Sequence, residues 1–155
     1  MISQDDIDAF TGTFDVSALD YSVFVEGKIL TEGKDRLVEN VLGLVGEAGE
    51  IAEKVHKHIF VEGKEPTKAE LKLLEYVHNL VIKAGKVAER IKKHIRDGAT
   101  INEKEIKYEL GDVVFYITAI ANYFDTNLQE IININVDKLE DRASRGVLQG
   151  SGDNR

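Results

Sequence analysis

The chain has 155 residues, of which 43% are hydrophobic and 31% charged, with a net charge of −8 and no cysteine. That length fits one domain with a real core, and that composition excludes wholesale disorder. The acidic balance excludes a broad surface for nucleic-acid backbone or anionic membrane, and the missing thiols exclude disulfides and cysteine-bound zinc.

No apolar run approaches the roughly 18 residues of a membrane span. The start, Met1-Ile2-Ser3-Gln4-Asp5-Asp6, lacks the basic-then-apolar pattern of a signal peptide, so the expected location is cytoplasmic. Residues 17–25 read either as a short helix capped by Ser17 or, with Lys28-Ile29-Leu30, as a hairpin around Gly27; the helix is the reading taken. From Asp35 to about Ile59 apolar residues recur at Leu37, Val41, Leu44, Val45, Ala48, Ala52 and Val55, which is helical periodicity. A second helix is expected from Thr67 to Ile95, with Thr67 and Glu70 as a capping box behind Pro66. A third starts at Asn102, with Glu105 in the same role, and runs to Tyr123. A fourth covers Leu128 to about Arg145. The glycine-rich tail 147–155 is expected to be a mobile arm.

Residues 37–59 align with 73–95 at an offset of 36 without a gap, and twelve of the 23 positions are identical. The identities include the apolar positions Leu37/Leu73, Val41/Val77, Leu44/Leu80 and Ala48/Ala84. Residues 60–95 therefore read as an inserted duplicate helix inside a single domain, 1–155. One difference between the copies bears on chemistry: Glu47 and Glu50 of the first become Lys83 and Lys86 of the second. These lysines either face solvent, approach a substrate phosphate or neutralise a neighbouring acidic face.

Glu47/Glu50 and Glu109/Asp112 are each spaced i, i+3, so each pair lies on one face of a helix otherwise rich in core residues. Four converging carboxylates would repel by roughly 4 kcal/mol per pair at 4 Å and an effective dielectric near 20. A divalent cation removes that penalty, and two carboxylate pairs leave coordination positions for water and substrate phosphate, which suits Mg²⁺, with Mn²⁺ as an alternative. His56 and His58 point to different helix faces and read as surface residues. The Gly-Lys pairs never continue into Ser or Thr, which excludes a P-loop.

The segments Leu42-Gly43-Leu44-Val45-Gly46-Glu47-Ala48-Gly49-Glu50-Ile51-Ala52-Glu53 and Glu109-Leu110-Gly111-Asp112-Val113-Val114-Phe115-Tyr116-Ile117 resemble those of the MazG-like, all-α nucleoside triphosphate pyrophosphohydrolases. Asn135-Val136-Asp137-Lys138-Leu139 is similar to a downstream segment of that family, and the tail is similar to that of its phage members, whose place would be the host cytoplasm. Here 58 residues separate Glu50 from Glu109; removing the 36-residue repeat leaves 22, which fits the family. The resemblance implies an all-α helical bundle, expected as a homodimer or homotetramer, that cleaves a nucleoside triphosphate to monophosphate and pyrophosphate. It implies Glu47, Glu50, Glu109 and Asp112 as Mg²⁺ ligands. Of these carboxylates Glu50 and Glu47 are the catalytic candidates, and one carboxylate would act as general base; Glu50 is the choice because its side chain can face the cation cluster while reaching a water. Asn135, Lys138 and Arg155 would bind substrate, and Tyr21, Phe24, Asn40 and Asn122 are candidates for base recognition. The alternatives are a related phosphohydrolase acting on dUTP, dCTP or an alarmone, and a non-catalytic helical protein that binds a nucleotide or a partner.

Overall fold

A computed structural model describes residues 17–148. Among them are five helices and no strand: α1 (Ala18–Lys28), α2 (Gly33–Ile59), α3 (Lys68–Asp97), α4 (Glu103–Tyr123) and α5 (Leu128–Ser144). The all-α expectation holds, and the N-terminal segment takes the helical reading. The expected mobile tail lies outside the described residues beyond Leu148.

Local chemistry sets the helix starts. The Ser17 hydroxyl accepts from the Asp20 amide at 3.2 Å, and the Asn127 side chain accepts from Glu130 N at 3.0 Å. At α3 the reciprocal box forms: Thr67 Oγ1 accepts from Glu70 N at 3.2 Å, while Glu70 Oε2 accepts from Thr67 N at 2.7 Å. Lys64 Nζ adds a bond to Glu70 Oε1 at 2.5 Å. These donors hold the buried Glu70 carboxyl down to about 2, the Lys64 bond being the largest cause and the Thr67 bonds next. At α4 only half of the expected box appears. Asn102 Oδ1 accepts from Glu105 N at 3.4 Å, but the Glu105 carboxylate turns to Arg90 on α3. Helix α3 ends at Gly98, whose φ of +66° is the left-handed cap conformation that glycine adopts without strain.

The described residues fall into two compact units. In one, α1 packs on α5 through Phe24 and Val136, flanked by Tyr21, Val25, Ile132 and Leu139. In the other, α2, α3 and α4 run up, down and up, because the links 60–67 and 98–102 are too short for anything but antiparallel neighbours. Helix α3 is the middle one. Its stripe Leu73, Val77, Leu80, Ala84, Val87 and Ile91 is wholly buried, at the spacing of a helix face turned into a core. The duplicate stripe on α2 is only part-buried at Leu37, Val41, Leu44 and Ile51. Two copies with the same core pattern thus take different layers: α3 has a helix on each side, while α2 is an edge. The backbones of α2 and α4 do not approach each other. Their side chains meet where the two helices end together, with the His58 ring 6.0 Å from Phe124.

Candidate active site

The antiparallel packing of α3 on α4 is registered by charge. Lys83 Nζ lies 2.6 Å from Asp112 Oδ2 and 3.2 Å from Glu109 Oε2. One face-repeat further along, Arg90 bonds Glu105 and reaches Glu109 Oε1 at 3.6 Å. Two cations of α3 therefore face three carboxylates of α4. The cluster is partly shielded: the Lys83 side chain is 21% exposed and that of Glu109 12%, while Asp112 is half-exposed. Asp112 first, and Glu109 second, hold the Lys83 ammonium above the ordinary lysine value, which keeps it charged.

The first acid pair is differently placed. Glu47 and Glu50 lie on exposed positions of α2, beside the buried Ala48. Glu50 has a loose partner in Lys54 at 3.6 Å, an i, i+4 surface pair in which both side chains are more than half exposed. Such pairs contribute about 0.3–0.5 kcal/mol, so Glu50 is readily given up to another ligand. A groove between α2 and α3 has Val38, Val41 and Leu42 on one wall and Ile91 and Ile95 on the other, which shows their antiparallel register. Continued along the helices, that register brings Ala48 to about the level of Ala84; both belong to the same core cluster as Val113. Both acid pairs thus stand at the level of Lys83, on the two helices flanking α3.

The expected convergence of four carboxylates does not occur within the single chain. Among the described residues no three His, Asp or Glu side chains gather as a metal-binding group. The physical reason is the duplicate helix, which separates α2 from α4 and presents an ammonium where a metal was expected. Of the readings for Lys83 and Lys86, Lys83 neutralises an acidic face, and Lys86 is exposed. Arg90, which the sequence reading passed over, completes that neutralisation. Its signal was present: Lys83 and Arg90 are seven apart on one copy, complementary to Glu105, Glu109 and Asp112 on one face of the next helix.

The remaining expected residues fall elsewhere. Asn135 lies on α5, where its Oδ1 accepts from the Tyr21 hydroxyl at 2.9 Å, and Lys138 is half-buried on the same helix. Burial raises the Tyr21 phenol above its ordinary value, so it stays a donor. Arg155 lies outside the described residues. Phe24 is a core residue at 3% exposure, stacked at 6.3 Å on Tyr21, which removes it as a base platform. Asn40 is exposed on α2. Asn122 lines a cavity of about 450 Å³ with Tyr76, Phe115, Thr118 and Tyr123. His56 and His58 are exposed, as expected, and turn to Phe60 and Phe124. No described helix is long and apolar enough to cross a membrane.

Comparison with known proteins places this architecture. The family model described as "MazG nucleotide pyrophosphohydrolase domain" matches residues 37–147, which include both acid pairs and the repeat. The Gene 37 protein of Mycobacterium phage L5 is 42% identical over 116 residues, covering 74% of this chain and 72% of that protein. No solved structure matches. The chain belongs to the MazG nucleotide pyrophosphohydrolase family.

Proposed function

We propose that this protein hydrolyses nucleoside triphosphates to the monophosphate and pyrophosphate. The observation that carries the reading is the family match over residues 37–147, with Glu47/Glu50 and Glu109/Asp112 both inside it. In this reaction water attacks the α-phosphorus, the bond from that phosphorus to the α–β bridging oxygen breaks, and pyrophosphate leaves. The water must give up a proton. Glu50 is the residue proposed to take it, because its carboxylate is exposed and its hold on Lys54 is loose. Glu47, one helical turn away, would orient the same water or the triphosphate.

Family members take a divalent cation, and Mg²⁺ is the expected one. The ligand set among the described residues of one chain does not fit it: the α4 pair already holds Lys83, and no described third carboxylate joins Glu47 and Glu50 in a metal-binding group. No step is therefore routed through a metal here. Asn135 and Lys138 remain the proposed substrate contacts on α5. Large exposed apolar side chains on α2, α3 and α4, such as Leu42, Ile82 and Phe115, support an assembly of several copies.

The test is a panel of ribo- and deoxynucleoside triphosphates incubated with and without Mg²⁺, scored for pyrophosphate. Release of pyrophosphate that Glu50→Gln abolishes is the expected result; orthophosphate as the first product refutes the cleavage point. A second reading, a nucleotide-binding protein without turnover, draws support from the Lys83 contact, which occupies half of the acidic set. Measurable nucleotide binding with no product would select it.

A further inference from the structure

We infer that Lys83 is a built-in cation that occupies the divalent-metal position of the Glu109/Asp112 pair, so that this pair is a metal-free ammonium site in the native chain. The inference rests on the family reading for what the pair would otherwise hold. Its other supports are geometric. The 36-residue offset maps Glu47 onto Lys83 and Lys54 onto Arg90, while the flanking core positions Leu44/Leu80 and Ala48/Ala84 are unchanged. The duplicate therefore keeps the helix face, reverses the charge at 83, which meets Glu109 and Asp112, and retains a cation at 90, which meets Glu105 and Glu109. The Nζ atom sits between two carboxylates of different helical turns, at 2.6 and 3.2 Å, as one cation shared by both.

Charge accounting makes the site selective. With Arg90 at Glu105 and Glu109, the α4 face carries three anions against two fixed cations. An added divalent ion would meet both cations at short range, in a partly shielded place where Coulomb terms are larger than in bulk water. The Lys83 stem is anchored beside the buried Ala84, so the ammonium is tethered, whereas a free metal ion must be recruited and partly dehydrated. A tethered monovalent cation wins that competition at ordinary metal concentrations.

The test uses the full chain and Mn²⁺ titrated by calorimetry, with the Mn²⁺-induced change in melting temperature as a second readout. Four proteins are compared: wild type, Asp112→Asn, Lys83→Ala and the Lys83→Ala/Asp112→Asn double variant. Expected is a wild-type isotherm that Asp112→Asn leaves unchanged. Lys83→Ala should then gain a Mn²⁺ event at least about tenfold tighter than anything Asp112 supports in wild type, and the double variant should lose it. Lys83→Met, which keeps the apolar stem and deletes the charge, must repeat the gain if Lys83→Ala fails to fold. The inference is overturned if Asp112→Asn weakens Mn²⁺ binding of wild type, or if the folded charge-deletion variant gains no Mn²⁺ event. Pyrophosphate release by wild type is scored separately. Its absence alongside the expected metal pattern removes the hydrolase reading and leaves the ammonium site standing.

Discussion

Because α2 and α3 carry the same leucine at equivalent places, Leu44 and Leu80, truncating each in turn asks which copy is the middle layer. Leu80 is 1% exposed inside the cluster formed by Leu73, Val77, Ala84, Val113 and Ile120. Leu80→Ala removes three carbon groups at about 0.8 kcal/mol each. The enclosed site also keeps a cavity, which brings the expected cost to about 3 kcal/mol, within the range for buried leucines. Leu44 is part-buried at the edge, where solvent replaces the lost side chain, so Leu44→Ala should cost about 1 kcal/mol. In urea, at a slope of about 1.5 kcal/mol/M, these translate to midpoint shifts of about 2 M and 0.7 M. The comparison is read from midpoints at unchanged slope, with Val77→Ala and Val41→Ala as a second pair expected in the same order. Equal shifts, or a larger one for Leu44→Ala, would refute the middle position of α3 and with it the contact of Lys83 with α4.

Three further outcomes follow from the local geometry. Thr67→Ala removes the hydroxyl half of the α3 capping box and should cost about 1 kcal/mol in equilibrium unfolding; no change would mean that the box forms without consequence. Glu70, held down to about 2 from an ordinary 4.5, contributes stability that is full above pH 4.5 and is lost as pH falls toward 2. The melting-temperature gap between wild type and Glu70→Gln should therefore close across that window, and a gap independent of pH contradicts the assignment. Gly85 sits mid-helix with nothing within 4 Å of an added Cβ, so Gly85→Ala should stabilise by about 0.5–1 kcal/mol, read as a higher unfolding midpoint.

What the sequence made legible was local. Ser17, Thr67 and Asn102 announced helix starts because a cap needs only its own next few residues, and the apolar spacing from Leu37 to Val55 is a helix under any packing. The repeat was equally plain. What stayed hidden was the choice between two helices with the same core pattern, since Leu44 and Leu80 advertise burial equally and only the connecting links decide which is enclosed. The i, i+3 spacing of each carboxylate pair suits a metal, but spacing within a helix says nothing of where the duplicate helix packs, and it packs between the two pairs. Lys83 and Arg90 held the missing information: a pair of cations seven apart, set against acids at 105, 109 and 112, is a statement about neighbours.

Chain connectivity explains why the charge reversal falls on the second copy. The link 98–102 forces α3, and not α2, to fold back along α4, so whichever residues stand at 83 and 90 meet Glu105, Glu109 and Asp112. An exact duplicate of α2 would have placed glutamate at 83, against Glu109 and Asp112, and each close carboxylate pair at about 4 Å would oppose the hairpin by roughly 4 kcal/mol at an effective dielectric near 20. Two such pairs fall within the range of an ordinary domain's net stability. A bound metal ion or a reversed charge relieves that repulsion, and the ammonium of Lys83 supplies the second solution within the chain itself. Helix α2, which runs parallel to α4 and makes no backbone approach to it, is under no such constraint, and it is the copy that keeps both glutamates.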